Sequence, residues 1–244
     1  MSAERVRSLL LVALGGAAAW LWASRDALNY VRPSLTPYLL AGAVVLLLLG
    51  LLPPLGLLRR RPAAGDHDHG HGTGVGWLLL VPVLVVVLVQ PAALGSRAVS
   101  GRAAVPGGGD ATYPALAPPV RGAVPMSMAE FVTRALRDRG RSLDGVRVRL
   151  VGFVAPGGNG ETYRLTRFVI FCCAADAEAL QVAVQGDPTR RAEDQWLEVE
   201  GRWLPRPMPA ADDPSPPPPV LVVDSTRPIA AQRPPYEYSL QYGG

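Results

Sequence analysis

The sequence predicts a two-part membrane protein: an α-helical N-terminal region of two to three spans, then a small, mostly β domain resembling an OB-type barrel with one short helix. Three observations predict this. Of 244 residues, 49% are hydrophobic and only 18% charged, against about a quarter charged in a typical soluble domain. The apolar residues concentrate before residue 95, whereas most acidic residues lie at or beyond Asp110. Beyond residue 140, short segments alternate apolar and polar residues, the period of half-buried strands.

The net charge is +4, and every one of the 24 basic residues is an arginine. These arginines form neither a basic helix nor a patch interleaved with aromatics, so nucleic acid is not an expected partner. With so much Ala, Gly and Pro, the arginine bias reads as codon usage in a GC-rich genome.

Three apolar stretches are candidate spans, since about 20 residues cross the roughly 30 Å hydrocarbon layer. The first, 8–23 (SLLLVALGGAAAWLWA), is marginal in length; its arginine-bearing start and small residues also fit a cleaved signal peptide. The second, 37–58, carries the uncharged run Leu39 to Leu52, with a bend expected at Pro53-Pro54. The third, 76–94, opens with Trp77 where an interfacial aromatic sits, and its one polar interruption is Gln90. The expected partner of this region is the lipid bilayer.

Arginine placement predicts orientation. Arg5 and Arg7 precede the first span and Arg59, Arg60 and Arg61 follow the second; the intervening loop has Arg25 and Arg32, partly offset by Asp26. The heavier clusters fall on one side. The expected localisation is therefore a multi-pass cell-membrane protein with a cytoplasmic N-terminus and an extracytoplasmic C-terminal domain.

The expected domains are a membrane region over 1–95, a linker over 96–125 and the β domain over 126–235. The linker is rich in Gly, Ala and Pro and has no periodicity, so it reads as an extended tether. Ser127 with Glu130 forms a capping-box pattern; Phe131, Ala135 and Leu136 follow as an apolar stripe, and Gly140 suits a helix stop. Val146, Val148 and Leu150 alternate with Arg147 and Arg149, and Gly152 predicts a bulge. Gly157-Gly158-Asn159-Gly160 predicts a turn. Further strands are expected at 163–171, 180–184, 196–203 and, as a short one, 220–223, with the proline-rich 204–219 as a loop. Five short strands, the first bulged, point to a small barrel.

Two groups of residues carry potential chemistry. Asp66, His67, Asp68, His69 and His71 hold every histidine of the chain, and so dense a set of imidazoles and carboxylates can take zinc or another transition metal. Its glycines argue for a weak or shared site, and a solvated loop explains it as well. The second group is Cys172-Cys173 with Asp176. Adjacent residues on a strand point to opposite faces, which disfavours a bond between the two sulfurs. Two unpaired thiols on an oxidising side of a membrane are unusual. They fit a soft metal, thiol exchange or a partner; equally, one of them fits a buried small hydrophobe at a strand end. No histidine follows His71, which removes Cys–His nucleophilic chemistry. There is no phosphate loop, dinucleotide fingerprint or nucleophile elbow, and the expectation is a protein that is not an enzyme.

The segments DHDHGHG, GWLLLVPVLVVVLVQPAALGS, RSLDGVRVRLVGFV, LTRFVIFCCAADA and RPPYEY resemble the YcgQ-like family of bacterial membrane proteins, classed as permease subunits. The similarity runs from about residue 8 to residue 238, and CCAADA is its most specific mark. The resemblance implies an accessory subunit of a transport complex, paired with a larger multi-span permease. It also favours Cys172, Cys173 and Asp176 as the functional patch. The outer domain would then bind cargo or a partner. Two alternatives stand beside it: a membrane-tethered thiol- or metal-binding protein working alone, and an envelope scaffold.

Overall fold

The structure is a computed structural model that describes residues 3–52, 80–89, 92–99, 112–116, 122–139, 141–158, 161–207 and 216–238. The chain divides into two compact units, Met1–Ala92 and Ala93–Gly244.

In the first unit, α1 (Ala3–Ala23) and α2 (Thr36–Leu51) are joined through two short 3-10 turns. Arg5–Ala23 and Pro33–Leu51 are each long and apolar enough to cross a bilayer. α1 begins five residues before the expected stretch, because Ala, Glu, Arg and Val continue a helix readily. The two helices approach closely at small residues. A Cβ on Gly15 would lie 3.0 Å from the Ala43 carbonyl oxygen, and one on Gly50 3.0 Å from that of Ser8. Such contacts let backbones pack in lipid, where no hydrophobic gain drives association. α3 (Leu80–Val89) lies against α1.

The third expected span extended to residue 94, but Ala92–Gly95 is not helical. Pro91 has no N–H to donate and disfavours helix before it. The bend at Pro53-Pro54, Arg59 to Arg61, Trp77 and Gln90 lie outside the described residues, as do Gly140, Asn159 and Gly160.

The second unit contains a closed barrel of five strands and the helix α4 (Met128–Arg137). The barrel strands are β2 (Arg147–Ala155), β3 (Tyr163–Ile170), β4 (Glu178–Gln185), β5 (Trp196–Leu204) and β6 (Val220–Pro228). They neighbour one another in the order β2-β5-β6-β4-β3, and β3 closes on β2. Only the β4–β6 pairing within this ring is parallel. Numbered from the first barrel strand this is 1-4-5-3-2-1, the Greek-key order of an OB barrel. Two short strands add to it in parallel, β1 (Val124–Pro125) beside β2 and β7 (Glu237–Tyr238) beside β3.

Alternation explains the core. Val148, Leu150 and Val154 of β2, Leu165 of β3, Leu180 and Val182 of β4, Leu197 and Val199 of β5 and Leu221 of β6 fill one cluster, joined by Met128, Phe131, Val132, Ala135 and Leu136 of α4. Burying side chains of this size stabilises by about 1.5–3 kcal/mol each. Ser127 caps α4 as expected, its hydroxyl accepting from the Glu130 N–H at 3.1 Å. The Glu130 carboxylate instead accepts from Arg134 Nε at 3.0 Å. The anion at the helix start is Glu237, whose two carboxylate oxygens accept from the N–H groups of Met128 (2.8 Å) and Ala129 (2.9 Å). A negative charge is favoured there by the orphan amides and the helix dipole.

Three expectations are corrected. Gly152 is not a bulge: the register runs unbroken through Gly152↔Leu197. A side chain there would come within 2.7 Å of the Thr166 carbonyl oxygen and 3.1 Å of Met128 Cε, so glycine serves a close crossing. The register shift lies instead between Glu200 and Gly201 on β5. β6 is not short, because Ser225, Thr226, Arg227 and Pro228 continue the register with β5 beyond the shift, which skips Asp224.

The third correction concerns the linker. Ala93, Leu94 and Val99 pack on a second cluster of Phe153, Ala155, Phe168, Ile170, Ala179 and Tyr236, on the opposite faces of strands that fill the core. The Leu94 N–H donates to the Tyr236 hydroxyl at 3.0 Å, and the Ser96 hydroxyl donates to Asp194 Oδ2 at 3.0 Å. Leu116 packs on the main core and Val124–Pro125 pairs with β2. The described parts of 96–125 thus belong to the domain, which also continues past residue 235 to Tyr238. Burial of these few apolar side chains outweighs the disorder that Gly and Pro favour.

Candidate functional site

Cys172, Cys173 and Asp176 lie in the connection between β3 and β4. β3 ends at Ile170, one residue before the expected end. The chain then bends and makes one 3-10 turn over Ala174–Asp176. Because the cysteines sit in this turn and not on the strand, strand alternation does not separate them. Their sulfurs are 3.6 Å apart, far beyond the roughly 2.05 Å of a disulfide, and both thiols are free.

Asp176 organises the turn. Its Oδ1 accepts from the Phe171 N–H at 2.9 Å, and its Oδ2 from the N–H groups of Cys172 (2.8 Å) and Cys173 (3.3 Å). The Asp176 N–H in turn reaches the Cys173 sulfur, giving a capping box in which cysteine stands where serine is usual. The two sulfurs and a carboxylate oxygen of Asp176 lie within 4.8 Å of one another. Neither cysteine is buried: Cys172 is exposed and Cys173 half-buried. The reading of a buried small hydrophobe is therefore overturned. Phe171 beside them is 50% exposed.

The electrostatics follow from these bonds. The Cys172 thiol donates to Asp176 and contacts the Cys173 sulfur, and these interactions hold its proton, pushing its pKa up to about 12. Desolvation opposes ionisation of Asp176, but the Cys172 thiol and the backbone N–H donors outweigh it and bring the carboxyl down to about 2. The turn's hydrogen bonds therefore persist above the ordinary carboxyl range and are lost only as pH falls through about 2. A thiol held protonated is a poor nucleophile. The same set of atoms suits ligation, in which a cation replaces the proton.

Another perturbed carboxylate, away from the turn, has a structural explanation. Asp187 accepts from Tyr163 and Arg191 at 3.1 and 3.0 Å inside the domain; desolvation raises its pKa, and these bonds with those from Thr189 lower it overall. Asp66, His67, Asp68, His69 and His71 lie outside the described residues. Glu237 was missed as a positioning residue, since its partners at Met128 and Ala129 are more than a hundred residues away. The only local sign was a carboxylate after the stiff Pro234-Pro235 pair.

Neither the curated proteins nor the solved structures contain a match to this chain. Residues 132–239, from the second turn of α4 past β7 and including the cysteine turn, match the family described as the DUF1980 C-terminal domain.

Proposed function

We propose that the chain is a YcgQ-like membrane protein acting as a non-enzymatic accessory subunit of a transport complex, with its barrel outside the cytoplasm and the Cys172–Cys173–Asp176 turn as the point of engagement with cargo or partner. The observation that carries this reading is the clustering of two free thiols and a carboxylate at an accessible strand connection. The DUF1980 C-terminal domain match spans that turn, and the two long apolar helices supply an anchor.

Two further observations favour this use of the barrel. An OB barrel commonly binds ligands on the face of its second and third strands. Here the outward side chains Phe168 and Ile170 of β3, the second of these, are packed against the chain's own Leu94, Val99 and Tyr236. On β2, β5 and β6 the arginines pair with carboxylates: Arg149 with Glu200 at 2.9 Å, Arg147 with Asp224 at 3.0 Å, Arg202 with Asp224 at 3.1 Å and Arg227 with Glu198 at 2.9 Å. Such a surface offers little uncompensated charge to nucleic acid.

The partner is a larger multi-span permease. Cross-linking in native membranes, followed by purification of the tagged full-length chain, is expected to recover such a protein in stoichiometric amount. Recovery of the chain alone would overturn the accessory role and favour a protein that handles thiols or metal on its own. Orientation rests on the arginines flanking the apolar stretches. A periplasm-active reporter fused after Gly244 is expected to be active, and activity of a cytosol-only reporter there would reverse the topology.

A further inference from the structure

Resting on the reading that this turn engages cargo, we infer that the cargo is a zinc ion, held by Cys172 Sγ, Cys173 Sγ and an Asp176 carboxylate oxygen, with the fourth coordination position left open. The sulfur spacing carries the geometry. A tetrahedral zinc bound to two thiolates at about 2.3 Å holds its sulfurs about 3.8 Å apart, and the observed separation is 3.6 Å. A linear two-sulfur site of the same bond length would need about 4.6 Å, so the spacing that the thiol–thiol contact already gives fits a tetrahedral ion and not a linear one.

The donor set narrows the choice further. Two thiolates exclude hard ions such as magnesium and calcium, which take oxygen ligands. A carboxylate oxygen beside two sulfurs suits borderline zinc better than Cu⁺, which selects sulfur alone. The turn is already closed around the site, because Asp176 binds three successive backbone N–H groups and fixes residues 171–173 relative to its own carboxylate. A carboxylate has about four acceptor positions. Three take those N–H groups and one takes the Cys172 thiol.

Binding balances simply. Zn²⁺ enters, the two thiol protons leave to water, two Zn–S bonds form, and the carboxylate lone pair that held the Cys172 proton is freed for the metal. No electron moves. The accessible Cys172 and the exposed Phe171 leave the fourth position open to water or to a ligand from another protein. Structural zinc sites are closed by four protein ligands; three on an exposed turn make a site that can receive an ion and give it up.

The test uses the reduced full-length chain in detergent, carrying His67→Ala, His69→Ala and His71→Ala so that the histidine tract does not contribute. Titration with Co²⁺ is expected to give a near-ultraviolet thiolate-to-cobalt charge-transfer band, displaced by one equivalent of Zn²⁺. Cys172→Ser and Cys173→Ser should each lower the band to half or less, their combination should abolish it, and Asp176→Asn should weaken Zn²⁺ binding about tenfold or more. Absence of the band in the parent chain, or an undiminished band in either cysteine variant, would overturn the assignment. The parent band and its stoichiometric displacement decide the matter even if a cysteine variant fails to fold. Co-purification with a permease but no zinc binding removes the metal and leaves the accessory role. Zinc binding by a chain that purifies alone does the reverse.

Discussion

Replacing Asp176 with asparagine is expected to accelerate alkylation of Cys172 by at least tenfold at pH 8. The wild-type thiol is held by its hydrogen bonds to the Asp176 carboxylate and the Cys173 sulfur, with a pKa of about 12 against an ordinary 9.0. Returning it to the ordinary value raises the thiolate fraction at pH 8 about a thousandfold, at one decade per unit. The less basic thiolate is also a weaker nucleophile, with a Brønsted coefficient of about 0.4–0.5, which takes back roughly 20- to 30-fold. Asparagine keeps one of the two oxygens that accept the turn's N–H groups, and Cys173 still neighbours Cys172 in the chain, so part of the shift is retained and the expected gain is tens-fold at most and tenfold at least. The pH profiles should differ in the same sense. Wild-type reactivity keeps climbing beyond pH 10, whereas the variant levels off near 9. Mass spectrometry of iodoacetamide-treated, metal-free protein, with fragment ions separating Cys172 from Cys173, gives the rates. Equal rates in the two proteins would mean that the carboxylate does not control the thiol.

Gly201→Ala is expected to cost about 3 kcal/mol or more of the barrel's stability. A Cβ at this position would collide with the Val222 carbonyl oxygen and stand 3.0 Å from its carbonyl carbon. Both belong to the backbone of the paired strand, so no side-chain rotation relieves the clash. Gly201 also lies where β5 and β6 slip register, with Glu200 opposite Ser225 and Gly201 opposite Val223. The strands must either part or lose the shift, and either change disturbs Val199 and Leu221 in the core. Small domains hold only about 5–15 kcal/mol in total. A loss of this size should lower the thermal midpoint by about 10 °C or more, read by near-ultraviolet circular dichroism. A midpoint within a degree or two of wild type would show that the strands yield freely there.

Much of this architecture was legible from local pattern. Leu197 and Val199 against Glu198 and Glu200 set both the strand and its inward face, because side-chain period on a strand is two. Ser127 before Phe131, Ala135 and Leu136 marked a helix start and its buried stripe for the same kind of reason. What local pattern misread were positions governed by distant neighbours. Gly152 looked like a bulge because an isolated glycine in a strand has more than one use. The strand crossing that demands it is made with Thr166 and Met128. β6 looked short because Asp224 to Arg227 are polar, yet Ser225, Thr226 and Arg227 pair with β5 beyond the register shift.

The cysteine turn divides along the same line. That Cys172, Cys173 and Asp176 are the residues with chemistry follows from their types and spacing. That their donor atoms converge follows from β3 stopping at Ile170 and from a turn held by three N–H bonds to one carboxylate. An alternation argument alone would have put the sulfurs on opposite faces.

By itself, then, the sequence determined which stretches are apolar enough to span, which side of each strand is buried and which residues carry reactive groups. These depend on residue type and on periods of a few positions, and chain neighbours are enough to read them. The tertiary structure alone decided how the barrel closes, that the segments around Leu94 and Tyr236 cover its outer face, that Glu237 caps α4, and that two thiols share one side of a turn. Each of those requires groups far apart in sequence to meet at a distance of a few ångströms, and contact energies of that range leave no trace in local pattern.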